Sequence, residues 1–320
     1  MNILQEIKGA GTIGISGHIR PDGDCVGSCM GLALYLRKMM PKARVDVFLD
    51  DFSESLARNI AGSDTIISEY ETDVERYDVF ICLDCEKTRL GDALPLFSSA
   101  AKTVNIDHHV SNPGCGEINY IVPGASSTCE LIYDVIDEEM IDCDIAKNLY
   151  IGMMTDTGVF KFSNTSRRTM EIAGRLIEFG FDFPRIIQEV FDERTYVQQQ
   201  ILGRALLESV VLMDGRCIFS VINRKLMQFY NAGSSDLDGI VSALVNTKGV
   251  DCSIFLYETL PMTFKVSMRS NGRVDVAKIA VKFGGGGHMR AAGATINARY
   301  RDIINSLTAE IEEQLKAAAE

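Results

Sequence analysis

Residues 102–112 read KTVNIDHHVSN, a β-branched run that ends in Asp107 and continues into two adjacent histidines. Three similar runs have strand length and composition: TIGISG (12–17), VDVFLD (45–50) and YDVFICLD (77–84). Segments of helical length and pattern follow at 26–40, 126–137 and 146–156. Strands that alternate with helices predict a parallel sheet with flanking helices on both faces, an α/β fold.

The composition is globular and acidic. The 320 residues are 46 % hydrophobic and 24 % charged, and the formal net charge is −12. Proteins that bind duplex nucleic acid usually present a basic stripe, and no stretch rich in Lys and Arg stands out, so we expect no long duplex partner. A small phosphate ester remains compatible with this charge, because bound divalent ions supply local positive charge.

The apolar runs and the cysteines indicate the cellular compartment of the protein. No apolar run approaches the roughly 18 residues that a membrane-spanning helix needs, so no membrane partner is expected. The nine cysteines have no regular spacing. An odd, irregular set argues against a disulfide framework and for a reducing compartment, and we therefore expect a cytoplasmic protein.

The chain predicts two domains. Residues 1–184 contain the alternating strands and helices, and form the expected metal-binding domain. Residues 185–208 are mixed polar and lack proline, which favours a helical linker. In residues 209–320 strands follow one another with fewer crossovers, which predicts a smaller α+β domain.

All four histidines lie in three motifs rich in aspartate or glycine: GHIRPDGDCVGS (17–28), NIDHHVSN (105–112) and GGGGHMRAAG (284–293). Imidazole and carboxylate together form an N/O metal site. Parallel strands bring their carboxyl ends to one sheet edge. The candidates at that edge are His18, Asp22, Asp24, Asp84, Asp107, His108, His109 and Asp156. Pro21 and Gly23 predict a loop over 18–24, with Asp22 and Asp24 on a common side of an extended stretch.

Charge counting favours two cations. Asp22, Asp24, Asp84 and Asp156 contribute about −4 when ionised, which two divalent ions would cancel. Without thiolate ligands, Mn²⁺ or Mg²⁺ fits better than structural zinc, and two imidazoles favour Mn²⁺. A bridging carboxylate, which we expect to be Asp84, would hold the ions roughly 3.5–4 Å apart. A single aspartate at a strand end is often only a helix cap or turn former, so the prediction depends on the whole set.

Four motifs resemble those of the DHH phosphoesterase superfamily: PDGDCVGS, CLDCEK, NIDHHVSN and MTDTGVF, in this order. GGGGHMRAAGA (284–294) resembles the signature of the DHHA1 substrate domain, so the resemblance covers nearly the whole chain. The length and layout resemble the compact NrnA-like branch, which degrades very short oligoribonucleotides and dephosphorylates 3′-phosphoadenosine 5′-phosphate. The resemblance implies an active site in the cleft between the two domains.

The resemblance also implies a role for each candidate. The ligands of one Mn²⁺ would be His18, Asp22 and Asp84. The ligands of the other would be Asp24, Asp84, His108 and Asp156. Asp107 would orient an imidazole, and His109 would face the phosphate and stabilise charge or assist the leaving group. The alternative for His109 is a histidine whose nitrogens are satisfied by backbone groups.

The glycine run at 284–287 predicts a loop. It is not a Walker A motif, because no Lys-Ser or Lys-Thr follows. Alone it would indicate a flexible turn. The resemblance to DHHA1 implies that His288 and the backbone of Gly286 and Gly287 bind a terminal phosphate or sugar of the substrate. Arg269, in KVSMRS, resembles a substrate-binding arginine that could form two hydrogen bonds with a phosphate, although a lone strand arginine is also a common surface residue.

These observations predict a two-metal phosphoesterase that hydrolyses short oligoribonucleotides, 3′-phosphoadenosine 5′-phosphate or both. A metal-bound hydroxide would attack phosphorus. A phosphodiesterase of cyclic or linear dinucleotides (c-di-AMP or pApA) stays open, because it would use the same metal site. A non-catalytic nucleotide-binding sensor is the alternative of another class, but it would be expected to lack a metal ligand. The oligomeric state, a homodimer included, stays open.

Overall fold

The computed structural model describes residues 1–317, which fall into two units that divide between Glu193 and Arg194. This division lies inside the segment 185–208 that the sequence predicts as a linker. Ile201 and Ala205 of that segment are buried in a core of the second unit. The three-part division at residues 184 and 208 stays a prediction.

The first unit is built on a six-stranded parallel sheet, as the sequence predicts. Its strands are β1 (Thr12–Ser16), β2 (Arg44–Phe48), β3 (Ile66–Ile67), β4 (Val79–Leu83), β5 (Thr103–Asp107) and β6 (Ile118–Ile121). They lie in the order β3-β2-β1-β4-β5-β6. The short edge strands β3 and β6 are additions to the prediction, because neither segment has the buried apolar run that marks the other four.

The helices of this unit cover both faces of the sheet. They are α1 (Ile3–Glu6), α2 (Gly23–Met39), α3 (Glu54–Asn59), α4 (Leu94–Ser99), α5 (Thr128–Val135), α6 (Cys143–Asp156), α7 (Arg167–Ile177) and α8 (Phe183–Ile187). Alternate residues of β4 belong to separate clusters: Ile81 and Leu83 pack on one side, and Phe80 and Cys82 on the other. Strands buried on both faces read as continuous apolar runs, as these do.

The strand order places a crevice between β1 and β4. The chain winds outward in one direction from β1 to β3, then returns to β4 and winds outward in the other. In doubly wound sheets, ligands bind beyond the carboxyl ends of the strands at this switch point. The segments 17–24 and 84–86 begin at those two strand ends.

The second unit has a mixed six-stranded sheet. Its strands are β7 (Val210–Leu212), β8 (Cys217–Ile222), β9 (Cys252–Leu260), β10 (Thr263–Ser270), β11 (Gly286–His288) and β12 (Ala291–Asn297). Its helices are α9 (Tyr196–Leu207), α10 (Arg224–Tyr230), α11 (Ile240–Val245), α12 (Val276–Lys282) and α13 (Tyr300–Ala317). The order is β11-β12-β10-β9-β8-β7. Strands β8 and β9 are parallel, and the other neighbouring pairs are antiparallel. A mostly antiparallel sheet with helices confirms the predicted smaller α+β unit.

One local prediction for this unit is wrong. The end of the glycine run is strand β11 and not a loop, because Gly286 and His288 pair antiparallel with Gly293 and Ala291 of β12. Glycine has little strand preference of its own, so the pairing with a neighbouring strand decides the conformation. Among all helices of residues 1–317, none combines the length and apolar character needed to span a bilayer.

Candidate metal centre

His18 lies just beyond the carboxyl end of β1, and its residue is 5 % exposed. Its Nδ1 is 2.9 Å from the backbone oxygen of Ile19, which can only accept, so Nδ1 carries a hydrogen. Its Nε2 is 3.4 Å from Asp84 Oδ2 and 3.7 Å from Asp22 Oδ1. This backbone contact leaves Nε2 facing the carboxylates, which is the arrangement of a metal-ligating imidazole.

Asp22 and Asp24 lie at the start of helix α2. Asp22 is the N-cap: its Oδ1 accepts hydrogen bonds from the amides of Asp24 and Cys25, both at 3.1 Å. Asp24 is buried in the first turn, and its two oxygens accept from the amides of Thr128 (2.7 Å) and Cys129 (2.9 Å). The predicted extended loop over 18–24 is therefore wrong from Gly23 onward, because the Asp22 cap starts the helix there.

Gly23 permits this early start. A Cβ at Gly23 would lie 2.3 Å from Thr155 Oγ1. Only a residue without a side chain lets the first turn of α2 approach the end of α6 so closely. The close approach brings Asp24 and Asp156, which lie on these two helices, to the same site.

Asp84 follows β4 directly and is 2 % exposed. Its φ is +58°, in the left-handed region that aspartate tolerates better than most residues. Its amide donates to the oxygen of Ile106 (3.0 Å) and extends the pairing of β4 with β5. Its Oδ2 faces His18, while its Oδ1 is 3.5 Å from His108 Nε2. The carboxylate thus lies between two imidazoles.

Asp107 is the last residue of β5 and is fully buried. One of its oxygens accepts from the amide (3.0 Å) and the Nδ1 (2.7 Å) of His109. The other accepts from Asn112 Nδ2 at 2.6 Å. These contacts hold the His109 ring in place. The family resemblance implies that this ring faces the phosphate, and 37 % of its side chain is exposed.

His108 joins the remaining carboxylates. Its Nε2 is 3.7 Å from Asp156 Oδ2 and 3.9 Å from Asp24 Oδ2, besides its contact with Asp84. Asp156 is the last residue of α6, and Asn164 Nδ2 lies 3.4 Å from its Oδ2. The six side chains predicted as ligands therefore meet at one place, although they come from four separate segments of the chain.

Sequence reasoning missed three residues that hold this cluster. Thr128 donates its hydroxyl to Asp84 (2.9 Å), and Asn112 and Asn164 contact Asp107 and Asp156. Asn112 lies inside the quoted motif NIDHHVSN, so its position was a signal. Thr128 and Asn164 carry no spacing signal, because only tertiary folding brings them to the aspartates.

Cys25 is an unexpected neighbour. Its Sγ, a nitrogen of His18 and an oxygen of Asp84 lie within 4.8 Å of one another. Burial raises the pKa of the Cys25 thiol well above its usual value. The sulfur is fully buried and lies 3.9 Å from the backbone oxygen of His18, so the thiol contributes to packing at the start of α2.

The protein without metal balances its carboxylates with protons. Burial lowers the pKa of His18, but hydrogen bonds with Asp22 and Asp84 outweigh it and raise that pKa to about 11. Burial also lowers the pKa of His108, but the hydrogen bond with Asp84 outweighs it and raises that pKa to about 10. Burial raises the pKa of Asp156 to about 6 and that of Asp24 well above its usual value. The cluster therefore attracts positive charge, and its N and O donors suit a divalent ion.

The second unit has its own pocket of about 610 Å³. It is lined by the glycine run 284–287, by 291–295 of β12 and by Arg269 of β10. Three predicted substrate-binding residues, Arg269, Gly286 and Gly287, thus share one pocket. Within residues 1–317, His288 ends strand β11 as an exposed residue outside this lining.

The doubly wound sheet with an Asp/His cluster at its switch point defines the class of this protein. Residues 12–153 match the DHH family, N-terminal domain, and residues 216–317 match the DHHA1 domain. The chain belongs to the DHH family and carries a DHHA1 domain in its second half.

Two relatives and one solved structure are similar to this chain over most of its length. The chain is 28 % identical to the bifunctional oligoribonuclease and PAP phosphatase NrnA of Bacillus subtilis (strain 168), over 92 % of either chain. It is 27 % identical to the cyclic-di-AMP phosphodiesterase PdeA of Listeria monocytogenes, over 98 % of this chain and 48 % of that one. The structure of an exopolyphosphatase-related protein from Bacteroides fragilis superposes with a TM-score of 0.89 at 26 % identity, covering 99 % of this chain and 96 % of that one.

Proposed function

We propose that this protein is a two-metal phosphoesterase that hydrolyses short oligoribonucleotides, 3′-phosphoadenosine 5′-phosphate or both. One observation carries the proposal: two imidazoles and four carboxylates, including that of Asp84, come together at the switch point of the sheet. The similarity to an oligoribonuclease and PAP phosphatase over 92 % of both chains supports this substrate class.

The donors would form two groups that share Asp84, and the distances between imidazole and carboxylate atoms support this division. One group is His18, Asp22 and Asp84, and the other is Asp24, Asp84, His108 and Asp156. Oxygen and imidazole donors without an ionised thiol favour Mn²⁺, with Mg²⁺ as the alternative. When bound, two such ions neutralise charge on a phosphoryl group and activate a water molecule.

His109, oriented by Asp107, would supply the proton that the leaving oxygen needs. The hydrogen bond to Asp107 is the largest cause that raises the pKa of His109 above its usual value. The Asp107 carboxylate therefore favours the protonated form of the imidazole and holds its Nδ1 at 2.7 Å. Its Nε2 is the atom from which a proton can pass to a leaving oxygen.

The pocket of the second unit would bind the rest of the substrate. The amides of Gly286 and Gly287 can approach an anion closely, and the Arg269 guanidinium supplies a fixed charge. His288 at the end of β11 would bind the same terminal phosphate or sugar. A short pocket of this kind favours substrates of one to a few nucleotides. Nine free cysteines support a cytoplasmic site of action.

A phosphodiesterase of cyclic or linear dinucleotides is the second candidate. The similarity to a cyclic-di-AMP phosphodiesterase extends over 98 % of this chain. Such an enzyme would need the same six donors, so the metal centre does not separate the two activities.

Product analysis tests the proposal. Purified protein with Mn²⁺ would be incubated with 5′-labelled oligoribonucleotides from two to about twenty nucleotides, with 3′-phosphoadenosine 5′-phosphate, and with c-di-AMP and pApA. We expect mononucleotides from the shortest RNAs and adenosine monophosphate plus phosphate from the bisphosphate. Preferred cleavage of c-di-AMP would select the second candidate. Binding of nucleotides without any hydrolysis would overturn both and support a sensor.

A further inference from the structure

The segment 126–130 enters helix α5 beside the metal centre, and nothing in the motifs assigns it a role. Ser127 caps the helix by accepting from the amide of Glu130, and Thr128 is the first helical residue. Thr128 is fully buried. A buried hydroxyl normally has a hydrogen-bond partner, and here the partner is a carboxylate of the metal centre.

Thr128 contacts two carboxylates of the centre: Asp84, which both groups of donors share, and Asp24, which belongs to one of them. Its Oγ1 donates to Asp84 Oδ1 at 2.9 Å, and its amide donates to Asp24 Oδ2 at 2.7 Å. We infer that Thr128 is a positioning residue that sets the orientation of the shared carboxylate Asp84 relative to Asp24. The inference rests on the proposed two-metal function.

The geometry explains why Asp84 needs such a partner. A carboxylate that bridges two cations through both of its oxygens would present one oxygen to each of them. Oδ2 faces His18 at 3.4 Å, while Oδ1 faces His108 at 3.5 Å. Rotation about the last side-chain bond would move both oxygens away from these directions. The Thr128 hydroxyl has a single hydrogen, and by donating it to Oδ1 it opposes this rotation.

The segment that carries Thr128 is itself anchored. The buried carboxylate of Glu130 accepts from the hydroxyls of Ser126 (2.5 Å) and Thr169 (2.8 Å). Asn164 donates to the backbone oxygen of Ser126 at 2.9 Å and also lies against Asp156. Thr128 therefore sits on a fixed support, as an orienting partner of a metal ligand must.

Mn²⁺ binding tests the inference without recourse to turnover. The holoprotein would be stripped with chelator and titrated with Mn²⁺, and electron paramagnetic resonance would report both the free ion and the signal of an exchange-coupled Mn²⁺ pair. In Thr128→Val we expect about 10- to 100-fold weaker binding and loss of the coupled-pair signal, because the orienting hydroxyl is gone. Thr128→Ser keeps the hydroxyl and should bind within about threefold of wild type.

Ser28→Ala is the matched control. Ser28 is also fully buried in this unit, but its hydroxyl donates to the backbone oxygen of Cys25, so its loss should leave Mn²⁺ binding unchanged. Circular dichroism would verify that each variant is folded, and Thr128→Ala replaces Thr128→Val if the valine variant is not. A folded hydroxyl-free variant that binds a coupled pair as tightly as wild type would overturn the inference alone. A wild-type protein that binds no Mn²⁺ would overturn the proposed function with it.

Discussion

Asp84→Asn replaces the carboxylate between two imidazoles with an amide of nearly the same shape. The Asp84 oxygens lie 3.4 Å from His18 Nε2 and 3.5 Å from His108 Nε2, and all three groups are buried or nearly so. At an effective dielectric constant near 20, each charge pair at this distance is worth about 5 kcal/mol. That energy corresponds to a fall of about 3.5 pH units in the titration midpoint of each histidine.

The assay is proton NMR of the histidine rings in the metal-free protein. The chain has four histidines, so the spectrum is sparse. In wild type the pKa values of about 11 and 10 for His18 and His108 keep both rings protonated through neutral pH. In Asp84→Asn both rings should titrate near neutral pH. With Mn²⁺ added, we expect turnover to fall by about 10³-fold or more. The amide no longer supplies the shared negative charge, and losing metal-assisted charge stabilisation of about 4 kcal/mol lowers the rate by about 10³-fold.

Asp73→Asn is the control, since it removes one charge from an exposed aspartate that pairs with Arg44. It should change neither the histidine titrations nor the turnover. Midpoints that move by less than one pH unit in Asp84→Asn would refute the electrostatic reasoning. Turnover within tenfold of wild type would refute the role of Asp84 as the shared ligand.

Three further predictions concern the metal, the proton and the glycine run. Apparent Mn²⁺ affinity, measured by calorimetry, should rise at least about tenfold per pH unit between pH 7 and 9, because binding displaces protons whose pKa values lie near 10 and 11. His109→Asn should lower kcat by about 10²-fold or more while calorimetry shows unchanged Mn²⁺ binding, because the ring contacts Asp107 and is the proposed proton donor. Gly285→Ala should lower the melting temperature by several degrees, whereas Gly286→Ala should not, because a Cβ at Gly285 would lie 2.1 Å from Gly293 O and a Cβ at Gly286 has open space.

Each of these has an outcome that contradicts it. Mn²⁺ affinity that is flat with pH would show that no imidazole proton is displaced. Loss of Mn²⁺ binding in His109→Asn would make that histidine a ligand and not a proton donor. Equal melting temperatures for the two alanine variants would show that β11 can move away from β12 at little cost.

Much of the metal centre could be predicted from sequence, because a parallel sheet has a simple rule. Two apolar runs end in Asp84 and Asp107, and an earlier run is followed by His18. These residues mark the ends of strands. Parallel strands bring those ends to one edge whatever the details of the loops. The candidate ligands therefore meet even though the predicted loop over 18–24 was wrong from Gly23 onward.

Local rules failed where a contact from elsewhere in the chain decides the conformation. Gly286 is a strand residue because β12 pairs with it, and Asp24 is helical because Asp22 caps α2 and Gly23 fits against Thr155. Neither outcome follows from the residue types alone. Thr128 shows the same limit, since its partners Asp84 and Asp24 lie 44 and 104 positions away.

Residue types and their order along the chain are enough to specify the chemistry of this protein: which side chains can bind a divalent ion, which strands several of them follow, and at which sheet edge they gather. These properties depend on residue type and on the continuous apolar runs that mark buried strands, and both can be read along the chain. Only the tertiary structure decided how each carboxylate is turned and what holds it there. A hydrogen bond of 2.9 Å between side chains distant in sequence depends on the packing of whole helices, which no local pattern records.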